Sequence, residues 1–361
     1  MISKLIIDNF KAIEHLELDL RPFQVLVGPN DAGKSTILQA LELLGRSTSL
    51  AVTPPSAEGA TGLFEDRFER YLPHGDIART LKLEVHGTCA GGDYSYGIAW
   101  AARSPQDASP QIVAEQLECE GASFAHAIGA HDWSRSVLSA RAGELPELVA
   151  DLRSFTAQLD PKQLAAPAQL GAPLESDGSG LVSLVDEMLT ASDRQPLFDL
   201  EQQLRRFSSF IGGVGAQPTP DKRGKELLFS LAGSKRPITA RQASRGLILI
   251  TAYLALRHGT GHRRYLIEEP ENGIHPHAAG LLVQVLRELS LTGAQVLITT
   301  HSPPLLNQVS PEDVLVVTRR PEQGIAVTPM VETRLFAERI GDLALGELWY
   351  KLGEDELVPA P

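Results

Sequence analysis

Residues 25–36 read VLVGPNDAGKST: an apolar, β-branched run, a turn holding two glycines, then Lys-Ser-Thr opening a helical pattern. Gly28-Pro29-Asn30-Asp31-Ala32-Gly33-Lys34-Ser35 fits G-x-x-x-x-G-K-[ST] with no mismatch. A loop of this kind converges consecutive backbone N–H groups on one point, which forces conformations that glycine tolerates. Before it stands FQVLVG, continuously apolar like a strand buried on both faces. After it, KSTILQALELLG has helical spacing through Ile37, Leu38, Leu41 and Leu44 and closes at Gly45. Strand, glycine turn and helix in this order put a helix's positive end at the loop. Residues 28–36, Thr36 included, are therefore expected to cradle phosphates. Lys34 would reach the β- and γ-phosphates of a nucleotide, and Ser35 would place its hydroxyl on Mg²⁺.

The surrounding sequence suits such a site. SKLIIDNFKAIEHLELDL alternates and reads as a two-stranded hairpin, while residues 46–76, rich in Ser, Thr, Pro and Gly, read as a loop. TLKLEVHGT, YSYGIAW and QIVAEQLEC alternate in turn over about 79–120, an antiparallel meander. Over 125–212, ELPELVADLRSFTAQL and LVSLVDEML…LFDLEQQLRRFSSFI are amphipathic helical patterns without sustained heptads, so a compact helical insert is expected. A Gly/Pro/Lys-rich break at 212–226 follows. Beyond it, strands (RYLIEEP, AQVLITTHS) alternate with helices (GLILITAYLALRHG, PHAAGLLVQVLRELS), and EDVLVVTRR and GIAVTPM read as two edge strands. Alternation of this kind implies a parallel sheet covered by helices.

Holding a nucleotide is not hydrolysing it, which also needs an acid to organise the metal and a group to position water. YLIEEP puts two carboxylates at the C-terminal end of a buried strand, where open α/β sheets gather their ligands. Glu268 would stand behind Mg²⁺, through a water, and Glu269 would orient or deprotonate the attacking water. QVLITT ends in His301, whose imidazole can donate to an anion and so contact the γ-phosphate.

These motifs in this order resemble the ABC-type ATPase heads of the SMC, RecF and OLD-like families. LIIDNFKAIEHLELDL is similar to their opening hairpin, IEEPENGIHP to their Walker B and D-loop run, and ITTHSPPLLNQV to their switch-histidine segment. The likeness covers roughly residues 1–45 and 225–320, is weaker through the meander, and includes the tail GDLALGELWYKLG. The nearest resemblance is to prokaryotic AAA-labelled, SMC-like ATPases found in phage-defence loci. It implies an α/β fold: an SMC-head-like P-loop NTPase with a mixed sheet, a β-meander lobe and a helical insertion. It divides the chain into 1–124 (first part of the head), 125–226 (insert) and 227–361 (second part of the head).

The resemblance also implies ATP with Mg²⁺, and a signature loop that closes on the nucleotide of a second subunit. ARQASRGLILI supplies the Ser-x-Gly core as Ser244 and Gly246, with Arg245 where relatives carry a small or acidic residue. Glu268 takes the place of an Asp, one methylene longer. The expected Q-loop glutamine has two candidates, Gln111 and Gln116. The implied activity is that of a clamp ATPase, homodimeric through an ATP sandwich, acting on a separate effector protein. A RecF-like repair ATPase binding DNA directly and a module that holds ATP with little turnover are the alternatives. About 60 residues follow His301, too few for a nuclease domain of typical size. His275 and His277 lack the nearby partners of a metal pair.

Bulk properties narrow this further. A net charge of −12 disfavours uniform coating by nucleic acid, though not a local basic stripe. No apolar run is long enough to span a membrane, the opening residues do not read as a secretory signal, and a chain with only Cys89 and Cys119 needs no disulfide framework. A cytoplasmic protein is expected.

Overall fold

In the computed structural model, residues 1–49, 62–64, 66–120, 122–127, 136–169, 171–259, 261–320, 324–333, 336 and 344–351 are described. β1 (Ile2–Phe10) and β2 (Ile13–Asp19) form the expected hairpin, with Leu5 opposite Leu18 and Ile7 opposite Leu16. β3 (Phe23–Val27) is buried throughout and leads through the glycine turn into α1 (Lys34–Ser47). Part of the Ser/Thr/Pro/Gly-rich loop lies outside the described residues; what is described holds two short 3₁₀ turns, Phe68–Tyr71 and Pro73–Gly75. β4 (Leu81–Cys89), β5 (Gly92–Ser104), β6 (Asp107–Cys119) and β7 (Ala122–Ala127) form an antiparallel meander, one strand longer than the alternation indicates. β1 pairs with β4, which joins hairpin and meander into one six-stranded lobe.

The stretch expected to be helical contains α2 (Val137–Ala140), α3 (Pro146–Leu152), β8 (Phe155–Ala157), α4 (Pro161–Leu164), α5 (Leu181–Thr190) and α6 (Gln195–Phe207). The helical reading of ELPELVADLRSFTAQL fails after Leu152, because Phe155 and Ala157 enter the core as part of a sheet. An available sheet edge outweighs local helical periodicity. The supposed break at 212–226 is mostly a hairpin of β9 (Ile211–Pro218) and β10 (Lys225–Leu231), extended by β11 (Ile238–Thr239). Two of its glycines, Gly213 and Gly224, have packing reasons, whereas Gly215 faces open space. A Cβ at Gly213 would lie 2.6 Å from Glu201 Oε1, the atom that accepts the Val214 N–H at 3.1 Å.

The remainder follows the expected alternation: α7 (Arg245–Gly259), β12 (Arg264–Glu268), α8 (Ala279–Leu291), β13 (Gln295–Thr300), α9 (Pro303–Leu306), β14 (Val314–Arg320) and β15 (Gly324–Pro329), with a last described helix over Leu345–Lys351. The central sheet has the order β15-β14-β3-β13-β12-β8 and is parallel except for β15. β14 is thus not an edge strand: it pairs with β3, and only β15 lies outermost on that side.

Side chains of the sheet alternate between two cores. Leu26, Leu266, Leu297 and Leu315 pack with Ile37, Leu38, Leu41 and Leu44 of α1 and with the meander lobe. Val25, Val27, Ile267, Ile298 and Val316 pack on the other face with α5, α6, α7 and α8. α1 and α7 therefore cover opposite faces of one sheet.

Candidate nucleotide site

β13 runs parallel to both β3 and β12 and lies between them. Its register sets Thr300 level with Val27 and Thr299 level with Glu268. The glycine turn, the paired acids and His301 consequently emerge from three adjacent strands at one edge of the sheet, the C-terminal edge where ligands of open α/β sheets collect. Residues 28–36, Glu268, Glu269 and His301, far apart in the chain, meet here.

The turn owes its glycines to later parts of the chain. β14 runs beside β3, and a Cβ on Gly28 would stand 2.3 Å from the Val317 carbonyl oxygen. Gly33 caps α1 at φ 104°, and a Cβ there would meet Ile325 Cδ1 of β15 at 2.2 Å. Asp31 is left-handed as well, at φ 64°. Pro29, Asn30 and Asp31 reach toward solvent, whereas Ala32 is buried. Ser35 and Thr36 lie half-buried in the first turn of α1, whose leading N–H groups lack intrahelical acceptors.

Lys34 is buried, and its Nζ donates to the carbonyls of Gly28 at 2.6 Å and Pro29 at 2.7 Å. Burial lowers its pKa from the ordinary lysine value, while the charges of Glu269, Asp31 and Glu268 oppose that shift. A lysine ammonium carries three donors, and its two described acceptors are neutral carbonyls. A buried cation satisfied in this way fits an arriving polyanion.

Glu269 follows the last residue of β12 and takes φ 43°, a turn that bulky residues rarely make. Its N–H donates to the Thr299 carbonyl at 2.9 Å. Its carboxylate is gripped on both oxygens: Oε1 lies 2.9 Å from His301 Nδ1, and Oε2 accepts from Asn272 Nδ2 at 2.7 Å. His301 is half exposed and sits against Glu269. Asn272 belongs to the run IEEPENGIHP, but motif reading gave it no role of its own; its contact with Glu269 emerges only from the folded turn.

Ser244 and Gly246 do not join this constellation. Ser244 is exposed, with its Oγ accepting the Leu247 N–H at 3.3 Å in capping fashion. Gly246 packs on the turn that follows the acids: a Cβ there would lie 3.3 Å from the Gly273 carbonyl oxygen and 3.5 Å from Phe207. Both stand at the start of α7, on the sheet face opposite α1. Gln111 and Gln116 lie on β6, paired with Ala101 and with Gly97 and Ala125.

The fold is that of an ABC/SMC-head-like P-loop NTPase. A family model described as "AAA domain, putative AbiEii toxin, Type IV TA system" matches residues 23–307, and the chain belongs to that family. Three solved SMC heads share the fold. An SMC head bound to the C-terminal winged-helix domain of ScpA superposes with a TM-score of 0.59 at 13% identity, over 91% of this chain and 97% of that one. The SMC head from Thermotoga maritima gives 0.50 at 12% identity, over 91% and 98%. A Pyrococcus furiosus SMC head with an extended coiled coil, bound to the C-terminal domain of ScpA, gives 0.54 at 12% identity, over 94% and 99%. An OLD nuclease from Thermus scotoductus is 46% identical over 44 residues, which are 12% of this chain and only 8% of that nuclease. Among the described residues, no helix is long and apolar enough to cross a membrane.

Proposed function

We propose that this chain hydrolyses ATP and works as an ATP-dependent clamp: two copies close on nucleotide and thereby regulate or load a separate effector protein, with phage defence as the biological setting. The observation that carries the reading is Glu269, held on both carboxylate oxygens and positioned by the sheet register beside the turn that contains buried Lys34.

In this reading the N–H groups of residues 28–36 and the Lys34 ammonium bind the triphosphate. Mg²⁺, when bound, neutralises charge on the phosphates. Ser35 would hold it through its hydroxyl and Glu268 through a water. Glu269 would accept the proton of the attacking water, with Asn272 and His301 keeping its carboxylate from rotating away. His301, already on Glu269, would also register the γ-phosphate. Ser244 and Gly246, turned away from their own cradle, would close on that of a second copy, so that ATP bridges two subunits and hydrolysis removes the bridge.

The test is Glu269→Gln. The variant should bind ATP as the parent does, turn over at least about 100-fold more slowly, and accumulate as a dimer by light scattering with ATP. Unchanged hydrolysis would reject the role given to Glu269. A parent protein that dimerises tightly on ATP without releasing phosphate would instead be an ATP-holding module.

A further inference from the structure

Two residues past Glu269 lies a carboxyl that the hydrolysis scheme does not use. Glu271 Oε1 accepts a hydrogen bond from Thr300 Oγ1, while its Oε2 is buried with no partner among the described residues. Burial raises its pKa above the usual carboxylate range. On the other side it faces α7: Tyr253, buried there, has its phenol pKa raised by burial first and by the Glu271 charge second. The side chain thus sits at the end of β13, near enough to Tyr253 of α7 for its charge to act on that phenol.

What it touches matters. Thr300 Oγ1, while donating to Glu271, accepts the Ser302 N–H at 3.0 Å. The two residues flanking His301 are therefore tied to each other and to Glu271. In the opposite direction Glu271 belongs to a tight turn, its carbonyl accepting the Ile274 N–H at 2.9 Å, just as Glu269 accepts the Asn272 N–H at 3.0 Å. That turn is the surface on which the start of α7 rests, since Gly273 and Ile274 are what a Cβ at Gly246 would meet. A continuous set of contacts therefore runs from Gly246 through the 270–274 turn and Glu271 to Thr300, His301 and Glu269.

We propose that Glu271 is a positioning residue: its hydrogen bond to Thr300 couples the start of α7 to His301, so that whatever docks on Ser244–Gly246 adjusts the hold of His301 on Glu269. This rests on the clamp reading above, and it adds the route by which closure reaches the reacting groups. Glu271 itself touches neither nucleotide nor water in this scheme. It acts by fixing the backbone on both sides of His301, and its requirement is an acceptor oxygen at Oε1, not a negative charge.

The experiment compares Glu271→Ala, Glu271→Gln, Thr300→Val and Thr300→Ser, with ATP turnover measured for the full chain and melting curves confirming folding. Glu271→Ala and Thr300→Val should each lower kcat roughly tenfold while KM for ATP stays within about twofold. The double variant should be no worse than either single one, since both break the same link. Glu271→Gln and Thr300→Ser keep the acceptor and the hydroxyl and should stay within about twofold of the parent. A second arm needs no turnover: in nucleotide-free protein, the imidazole ¹⁵N resonance lost in His301→Ala should move in Glu271→Ala and Thr300→Val and hold in the two conservative variants.

Additive losses in the double variant, or parental kcat with an unmoved resonance in Glu271→Ala, would overturn the coupling. So would a loss in Glu271→Gln equal to that in Glu271→Ala. If the parent itself releases no phosphate, the hydrolysis reading fails, and the resonance arm decides the coupling on its own. Should Glu271→Ala not fold, Thr300→Val carries both arms.

Discussion

At the scale of single residues, the site is a set of groups each placed at some cost. Lys34 is an ammonium in a buried setting with carbonyls for company, and its depressed pKa records that cost. A triphosphate would repay it by giving the cation a counter-charge. Losing charge-assisted contacts to phosphate oxygens, at about 1.5–3 kcal/mol each, corresponds to an affinity loss of roughly 100-fold. Lys34→Ala should show that loss in equilibrium binding of a fluorescent ATP analogue, and normal binding would refute the cradle.

Glu271 allows a stability prediction with a definite sign. Its folded-state pKa lies above the unfolded one, so the folded chain binds the extra proton. Stability should therefore fall as pH rises through and above the ordinary carboxylate range. Glu271→Gln, which cannot ionise, should escape that fall. Chemical denaturation across about pH 4 to 8, from the ordinary carboxylate range upward, should show the variant gaining on the parent as pH rises; a constant gap would contradict a buried Glu271 with a raised pKa.

At the scale of elements, three adjacent strands do most of the assembly. β13 lies between β3 and β12, and its register lines up the glycine turn, the acids and His301. The β14–β15 pair closes the turn from the side, which is why Gly28 and Gly33 admit no side chain. Gly246 is a different kind of glycine. It sits in the first turn of α7, and a Cβ there would be only slightly crowded, at 3.3 Å from the Gly273 oxygen. That crowding should be offset by the helix-favouring effect of alanine, which is up to about 1 kcal/mol. Gly246→Ala should then melt within a few degrees of the parent, by roughly the usual relation between free energy and melting temperature. If the start of α7 meets a second subunit's nucleotide, the same variant should weaken ATP-dependent dimerisation measured by sedimentation. A dimer of parental affinity would remove Gly246 from the interface.

At the scale of the whole molecule, one sheet separates α1 and its cradle from α7 with Ser244 and Gly246. A complete site built from both would need two copies. Mixing tests this directly. Lys34→Ala and a Ser244→Arg variant should each be nearly inactive, but equal mixtures should recover up to about a quarter of parental turnover. Half the dimers would be mixed, each with one intact composite site, if pairing is random and the sites are independent. No recovery from well-folded partners would argue against completion in trans.

What the sequence by itself determined was its exact local motif and its most strongly patterned segments. The eight residues from Gly28 to Ser35, the buried strands FQVLVG and QVLITT, the paired acids after RYLI and the α7 helix were all legible, since motif spacing and hydrophobic period are properties of neighbours in the chain. The tertiary structure decided what depends on partners far away. Phe155–Ala157 is a strand because β12 offers it an edge, and 211–218 is a strand because Val214 and Ala216 find Phe229 and Leu227 opposite. His301 rests on Glu269, and Thr300 on Glu271, because a parallel register brings residues about thirty positions apart within hydrogen-bond reach. Such contacts follow from which strands lie side by side and at what offset. That outcome belongs to the packing of the whole sheet, and no window of the chain contains it.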